Sequence, residues 1–222
     1  MSKFLKRTPF ITEDGSASLR LDELPEHYHS MHGAYRESMH IYIKSGLHFF
    51  PDFAVIKILE MGFGTGLNAA LTLCNKGNRL INYHTIEAYP LTLEEVGLLN
   101  YKTYIGDKYY SEFLSMHSVQ TGEKICIDKG YEFTKTINTM EHTELEGGYQ
   151  LIYYDAFGPE IQPELWTAKV FDKLYAAMAS NSILVTYCAK GSVKRNMKAA
   201  GFEVESLEGP PGKREITRCF KK

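Results

Sequence analysis

The sequence predicts an α/β protein: a doubly wound, mostly parallel sheet with an antiparallel pair of strands at its C-terminal end and a small N-terminal extension. Three observations carry this. From about residue 55 onward, short β-rich runs alternate with amphipathic stretches, as when parallel strands are joined by helical crossovers. A buried run ending at Met61 passes through three alternate glycines, Gly62, Gly64 and Gly66, straight into a helical pattern. The last two β-rich runs are separated only by a segment containing Gly209-Pro210-Pro211-Gly212, too short for a crossover helix, so they must run antiparallel.

In chain order, residues 1–50 form the extension and 51–222 the main domain. In the extension, Asp14-Gly15 marks a hairpin turn and a helix is predicted over residues 34–45, stopped by Gly46. Strands are predicted at 55–60, 80–87, 124–128, 149–155 and 183–188, with the late pair at 202–207 and 214–220. Between them, Thr92 and Glu95 form a capping box after Pro90, and Pro163 stands where a helix can begin. With 44% hydrophobic and 23% charged residues in 222, the chain can build one generous core. Net charge is −2, so any polyanionic partner must meet a local patch. Cys74, Cys126, Cys188 and Cys219 are far apart, which points to reduced thiols rather than a zinc knuckle or disulfide scaffold. No apolar run is long enough to span a membrane, and the N-terminal stretch meets Pro9 before a signal-peptide core forms, so a cytoplasmic protein is expected. His27, His29, His32, His40 and His48 cluster in the extension, but their spacing matches no metal-ligand pattern, so no metal is expected.

The glycine loop reads Glu60-Met-Gly62-Phe-Gly64-Thr65-Gly66-Leu-Asn68. Glycines there let the backbone turn sharply and let a ligand approach its amides, beside the positive end of a helix. The spacing is G-x-G-x-G, and a dinucleotide fingerprint needs its third glycine one place later, where Leu67 stands. A carboxylate at Glu60 repels a pyrophosphate but suits a sulfonium with an ammonium group, and S-adenosylmethionine carries both. Glu87, ending the second strand of the main domain, is positioned to accept both ribose hydroxyls. Gly130-Tyr-Glu132-Phe133, following the third, offers a carboxylate to the adenine amino group.

The fourth strand delivers Asp155-Ala-Phe157-Gly-Pro159 and then Leu165-Trp166, an acid and an aromatic turn at the edge where open α/β sheets place their chemistry. These motifs join with His32-Gly-Ala-Tyr-Arg-Glu37-Ser, Glu87-Ala-Tyr-Pro90, Tyr187-Cys-Ala-Lys190-Gly191 and Gly209-Pro-Pro-Gly-Lys213-Arg214-Glu215. In this order the chain resembles the methyltransferase part of the MnmC family, enzymes that complete a methylaminomethyl group on the wobble uridine of certain tRNAs. The resemblance implies a Rossmann-like class I methyltransferase fold. It implies S-adenosylmethionine held at its methionine end by Gly62, Thr65, Gly66 and Asn68 together with Gly64, and at its ribose by Glu87. Asp155 is implied to meet the reacting amine, Phe157 to shape its pocket, and Glu37 in a lid to lie near the cofactor's ammonium. The family pattern usually carries Asp where Glu132 stands. Bifunctional members add a flavin-dependent oxidase domain, for which this chain has no room, so no FAD is expected.

A tRNA substrate needs cations, and residues 190–222 hold nine Lys or Arg against four acids. Lys190, Lys194, Arg195 and Lys198 fall at helical spacings, and Lys213 and Arg214 follow the Gly-Pro-Pro-Gly turn, which predicts one basic face. Two competitors differ in class. A spermidine-synthase-like aminopropyl transferase has a second acid where Gly158 stands here, since a dication wants paired anions. A non-catalytic tRNA-binding module would have no use for Glu60, Glu87 and Asp155.

Overall fold

The computed structural model describes residues 6–24 and 26–222. Residues 1–5 of the N-terminal stretch, where the sequence excludes a signal-peptide core, lie outside the described residues. The extension opens with strands β1 (Arg7–Ile11) and β2 (Ala17–Leu21), paired antiparallel around the Asp14-Gly15 turn, and a short β3 (Glu26–His27) pairs with β2. The predicted helix is present but changes pitch: α1 (Ala34–Ser38) passes into a π-helical turn at Met39–Lys44. That wider turn brings Ile41, Tyr42 and Ile43 inward together, a distortion that π-helical segments commonly carry near functional sites.

The main sheet has eight strands: β4 (Val55–Met61), β5 (Leu80–Glu87), β6 (Lys124–Asp128), β7 (Tyr131–Ile137), β8 (Tyr149–Tyr154), β9 (Met178–Thr186), β10 (Glu203–Glu208) and β11 (Glu215–Lys221). Their order is β10-β11-β9-β8-β4-β5-β7-β6. Strands β7, β5, β4, β8 and β9 run parallel, and β10 and β11 form the predicted antiparallel pair. Six α-helices follow β4: α2 (Leu67–Asn75), α3 (Leu93–Gly97), α4 (Lys102–Ile105), α5 (Asp107–Ser118), α6 (Ala168–Ala177) and α7 (Gly191–Ala199). The capping box of α3 forms as predicted, Thr92 accepting from the Glu95 N–H and the Glu95 carboxylate from the Thr92 N–H.

Because strand side chains alternate between faces, Ile56 and Ile58 of β4 pack with Tyr83, Phe133 and Tyr153 against α2, α5 and the extension. Leu59 and Met61 pack with Ile152, Tyr154 and Leu184 against α6 and α7. The third strand differs from expectation. The segment 124–128 is an antiparallel edge, and the parallel neighbour of β5 is β7, whose Tyr131, Phe133 and Lys135 alternate inward. Two rings and a lysine on one face outweigh the weakly apolar run before them.

Lys135 is 1% exposed, and its ammonium donates to the carbonyls of Met116 (3.1 Å) and His117 (2.5 Å) at the end of α5. It thereby satisfies acceptors that a helix C-terminus leaves open. Replacing it with Met keeps the bulk and orphans both carbonyls. Lys135→Met should therefore lose about 2–3 kcal/mol of unfolding free energy in a urea titration, and a loss below about 0.5 kcal/mol would mean that the ammonium carries no structural load.

Candidate functional site

The carboxyl ends of β4, β5, β7 and β8 and the extension enclose a cavity of about 550 Å³, within the ~300–1,000 Å³ of small-molecule sites. The three loop glycines hold positive φ angles of 90°, 51° and 75° at Gly62, Gly64 and Gly66. At Gly62 the need is also steric, because a Cβ would lie 2.6 Å from the Asp155 carbonyl oxygen. Gly66 closes the turn and stands before the first residue of α2.

Glu87 reaches the cavity and organises its floor. One carboxylate oxygen accepts from the Gly64 N–H at 2.8 Å and the other from the Tyr89 N–H at 2.7 Å. Thr65 lines the cavity, and its hydroxyl accepts from Tyr101 at 3.0 Å. Asp155 leaves β8 with its N–H bonded to Met61 O at 2.9 Å. Its carboxylate takes one donor on each oxygen, the Tyr42 hydroxyl at 2.6 Å and Asn68 Nδ2 at 2.8 Å. Burial pushes its pKa up to about 7, with Glu37 nearby adding to the rise and the two donors opposing it. Trp166 is buried as expected of a core residue, and its indole N–H donates to Phe157 O at 2.8 Å, fixing the turn. Phe157 lines the cavity with its ring edge-on to Tyr28 at 5.1 Å.

Glu37 also lines the cavity. One of its oxygens accepts from the Ser30 N–H at 2.7 Å and the other pairs with Lys213 at 3.3 Å.

Several expectations need correction. Glu60 does not border the cavity: it points to the opposite side of β4 from Met61, under α2, and is 0% exposed with no hydrogen-bond partner on either carboxylate oxygen. Burial, with the charge of Asp155 adding to it, pushes the Glu60 carboxyl well above the usual carboxylate range. The negative character of the cleft instead comes from Asp155, Glu37, Glu87, Glu26, Glu141 and Glu164.

Glu132 sits near the start of β7, opposite Asn82 and five residues before the end where β5 aligns Glu87 with Ile137. It is exposed on the surface, paired with Lys124 at 3.4 Å. The loop that does reach the cavity follows β7, at Thr139, Met140, Glu141 and His142. Reading the inward alternation of Tyr131, Phe133 and Lys135 as the parallel strand would have found it.

The basic face is also less free than composition implied. Lys190 pairs with Glu160, and Lys194 with Glu215 at 2.9 Å. Lys213 turns into the cavity, its ammonium 4.7 Å above the Tyr187 ring. Arg195, Lys198 and Arg214 remain exposed. His27, His29 and His32 line the cavity, and among the described residues no group of three or more His, Cys, Asp or Glu is arranged to hold a metal. The sequence reading did not single out Tyr28, Tyr42 or Arg7 for the site.

A family profile described as S-adenosyl-L-methionine-dependent methyltransferase matches residues 107–222, more than half of the chain. The chain belongs to this family. Its relatives include the tRNA 5-methylaminomethyl-2-thiouridine biosynthesis bifunctional protein MnmC of Cupriavidus metallidurans, 28% identical over 94% of this chain and 33% of that protein. The protein of the same description from Pseudomonas fluorescens is 31% identical over 72% of this chain and 26% of its own length. The chain thus spans about a quarter to a third of the curated relatives it matches. Among solved structures, MNMC2 from Aquifex aeolicus superposes with a TM-score of 0.78 at 23% identity, covering 98% of this chain and 71% of that one. Spermidine synthase from Thermotoga maritima superposes at 0.60 with 14% identity, covering 100% of this chain and 70% of that one. At these identities both show the fold alone, an α/β fold built on a mostly parallel central sheet. Among the described residues, no helix is long and apolar enough to cross a membrane.

The residues present fit the methyl donor: an open glycine turn, a carboxylate at the end of β5 and a predominantly acidic lining for a cationic ligand. Gly62→Ala adds a Cβ against the Asp155 carbonyl at a positive φ, and should weaken S-adenosylmethionine binding at least tenfold by calorimetry while lowering stability by about 1–3 kcal/mol. Unchanged affinity would show that the turn does not contact the ligand.

Proposed function

We propose that the chain transfers a methyl group from S-adenosylmethionine to the amine of 5-aminomethyluridine, with or without a 2-thio group, at the tRNA wobble position. The observation that carries this reading is Asp155, a carboxylate at the sheet's carboxyl edge that opens into the acidic cavity beside the glycine turn. The curated relatives named above, described as tRNA 5-methylaminomethyl-2-thiouridine biosynthesis proteins, support the choice of substrate.

In this reading Gly62, Gly64 and Gly66 present backbone to the methionine end of the cofactor, Glu87 accepts from the ribose hydroxyls, and Glu37 meets the ammonium. When bound, S-adenosylmethionine supplies an electrophilic methyl group on its sulfonium. A primary alkylamine has a pKa of roughly 10 and arrives protonated, without a lone pair. Asp155 pairs with that ammonium, orients it and accepts its proton. An ordinary aspartate would make this transfer uphill by roughly 9 kcal/mol, and one at about 7 reduces the cost to roughly 4. Burial therefore turns an orienting residue into a usable base. The exposed Arg195, Lys198 and Arg214 are the cations offered to tRNA phosphates. The aminopropyl-transfer alternative lacks a second acid at Gly158.

Mass spectrometry of wobble nucleosides, after incubating the purified chain with aminomethyl-bearing tRNA and isotope-labelled cofactor, should find one labelled methyl on the side-chain amine. Label on a ring atom, or none on RNA, would discard the reading. Asp155→Asn should lower kcat by about 100-fold or more with cofactor affinity nearly unchanged; undiminished turnover with intact binding would remove its role. Glu37→Gln should weaken cofactor binding about five- to tenfold by calorimetry, and equal affinity would place the ammonium elsewhere.

A further inference from the structure

The carboxylate that meets the amine is held by a residue of the N-terminal extension. Tyr42 stands 113 positions before Asp155 in the chain, in the π-helical turn at Met39–Lys44, yet its hydroxyl lies 2.6 Å from Asp155 Oδ1. The ring is 1% exposed and packs against Tyr153 of β8 with centroids 5.2 Å apart, which holds the phenol in place. Asn68 holds the other oxygen at 2.8 Å from the first turn of α2. With one donor on each oxygen, the carboxylate cannot rotate about its Cβ–Cγ bond without breaking both bonds, and its remaining lone pairs are left for a ligand.

We propose that Tyr42 is a positioning residue for methyl transfer, its hydroxyl pinning Oδ1 of Asp155 so that the carboxylate meets the amine in a single orientation and as an anion. The inference rests on the reading of Asp155 as the residue that meets the amine. The phenol acts as a donor throughout, because burial, the Asp155 charge and the hydrogen bond all hold its own ionisation well above the ordinary tyrosine range.

Other groups also bear on Asp155: Glu37 from the extension and Glu60 from β4 on the acidic side, and Lys213 from the C-terminal loop on the basic side. Tyr187, after β9, is held neutral by burial and the Asp155 charge. Burial pushes the Glu60 carboxyl well above the usual carboxylate range, and Glu37 and Lys213 pair with one another at 3.3 Å. Among these groups, the Tyr42 and Asn68 side chains are the two that donate hydrogen bonds to the carboxylate. Asn68 does not titrate. The hydroxyl favours the anion, so removing it raises the Asp155 pKa, and the fraction of active anion at a fixed neutral pH falls.

The test uses the full chain. The kcat/KM for aminomethyl-bearing tRNA is followed from about pH 5.5 to 9 for wild type, Tyr42→Phe and Asp155→Asn, with cofactor affinity measured by calorimetry. Phenylalanine keeps the ring against Tyr153 and removes only the hydroxyl. The acidic limb of the profile should move up by about 0.5–1 pH unit in Tyr42→Phe. Its kcat/KM near pH 6.5 should fall about three- to tenfold and recover toward wild type in the alkaline range, with cofactor affinity unchanged. A uniform loss at every pH, or a limb that does not move, overturns the proposal, since a purely structural role would not displace it. Placing a fluorinated tyrosine, a stronger donor of the same shape, at position 42 should move the limb down; this serves should Tyr42→Phe fail to fold, and an unmoved limb there overturns the proposal equally. If Asp155→Asn turns over normally, the reading of Asp155 itself fails and the proposal with it. If Asp155→Asn is inactive and the Tyr42→Phe limb stays in place, the role of Tyr42 alone is refuted.

Discussion

Everything in the cleft depends on how closely β4 and β8 approach at their carboxyl ends. Asp155 donates its N–H to Met61 O at 2.9 Å, the last bond between the two strands before each chain turns away. At that point Gly62 lies so near the Asp155 carbonyl that no side chain fits between them. The glycine turn and the acidic loop are therefore two halves of one structure. The turn carries the proposed methyl-donor side and the loop the proposed amine side, and the pairing of β4 with β8 holds them together. Preorganisation of this kind lets a site convert a bimolecular encounter into a positioned one.

A second layer of control is the burial of charge. Open α/β sheets place ligands beyond their carboxyl edge, but the acids around this edge are not equivalent. Glu87 has each oxygen satisfied by a backbone N–H. Asp155 has two side-chain donors and a raised pKa. Glu60 lies one strand position below the cavity, with no hydrogen-bond partner on either oxygen, and burial raises its pKa well above the usual carboxylate range. Three carboxyl groups within a few residues of the same sheet edge thus sit in three different chemical environments.

The extension is more than an appendage. Its buried Leu19, Ile41 and Tyr42 belong to the same apolar cluster as the α2 side of the sheet. Its Glu37 meets Lys213 of the C-terminal loop, and His40 meets the Glu208 carbonyl at 2.8 Å. The two ends of the chain close on each other over the cavity, which is why Lys213 faces inward while its neighbour Arg214 faces solvent.

The sequence alone determined the alternating architecture, the antiparallel end of the sheet, the glycine turn, and Glu87 and Asp155 as acids on strand ends. Each is written in local terms: periodicity, turn residues and the spacing of an acid from the strand that carries it. Only the tertiary structure decided which acids face the cavity. Whether Glu60 and Met61 point to one side of β4 or the other depends on which layer covers each face, and a one-residue change of register reverses it. The same holds for Glu132, whose place hung on whether the parallel strand was residues 124–128 or β7. The pairing of Tyr42 with Asp155 lies beyond any local rule, because two segments more than a hundred residues apart meet only when the π-helical turn packs against β8.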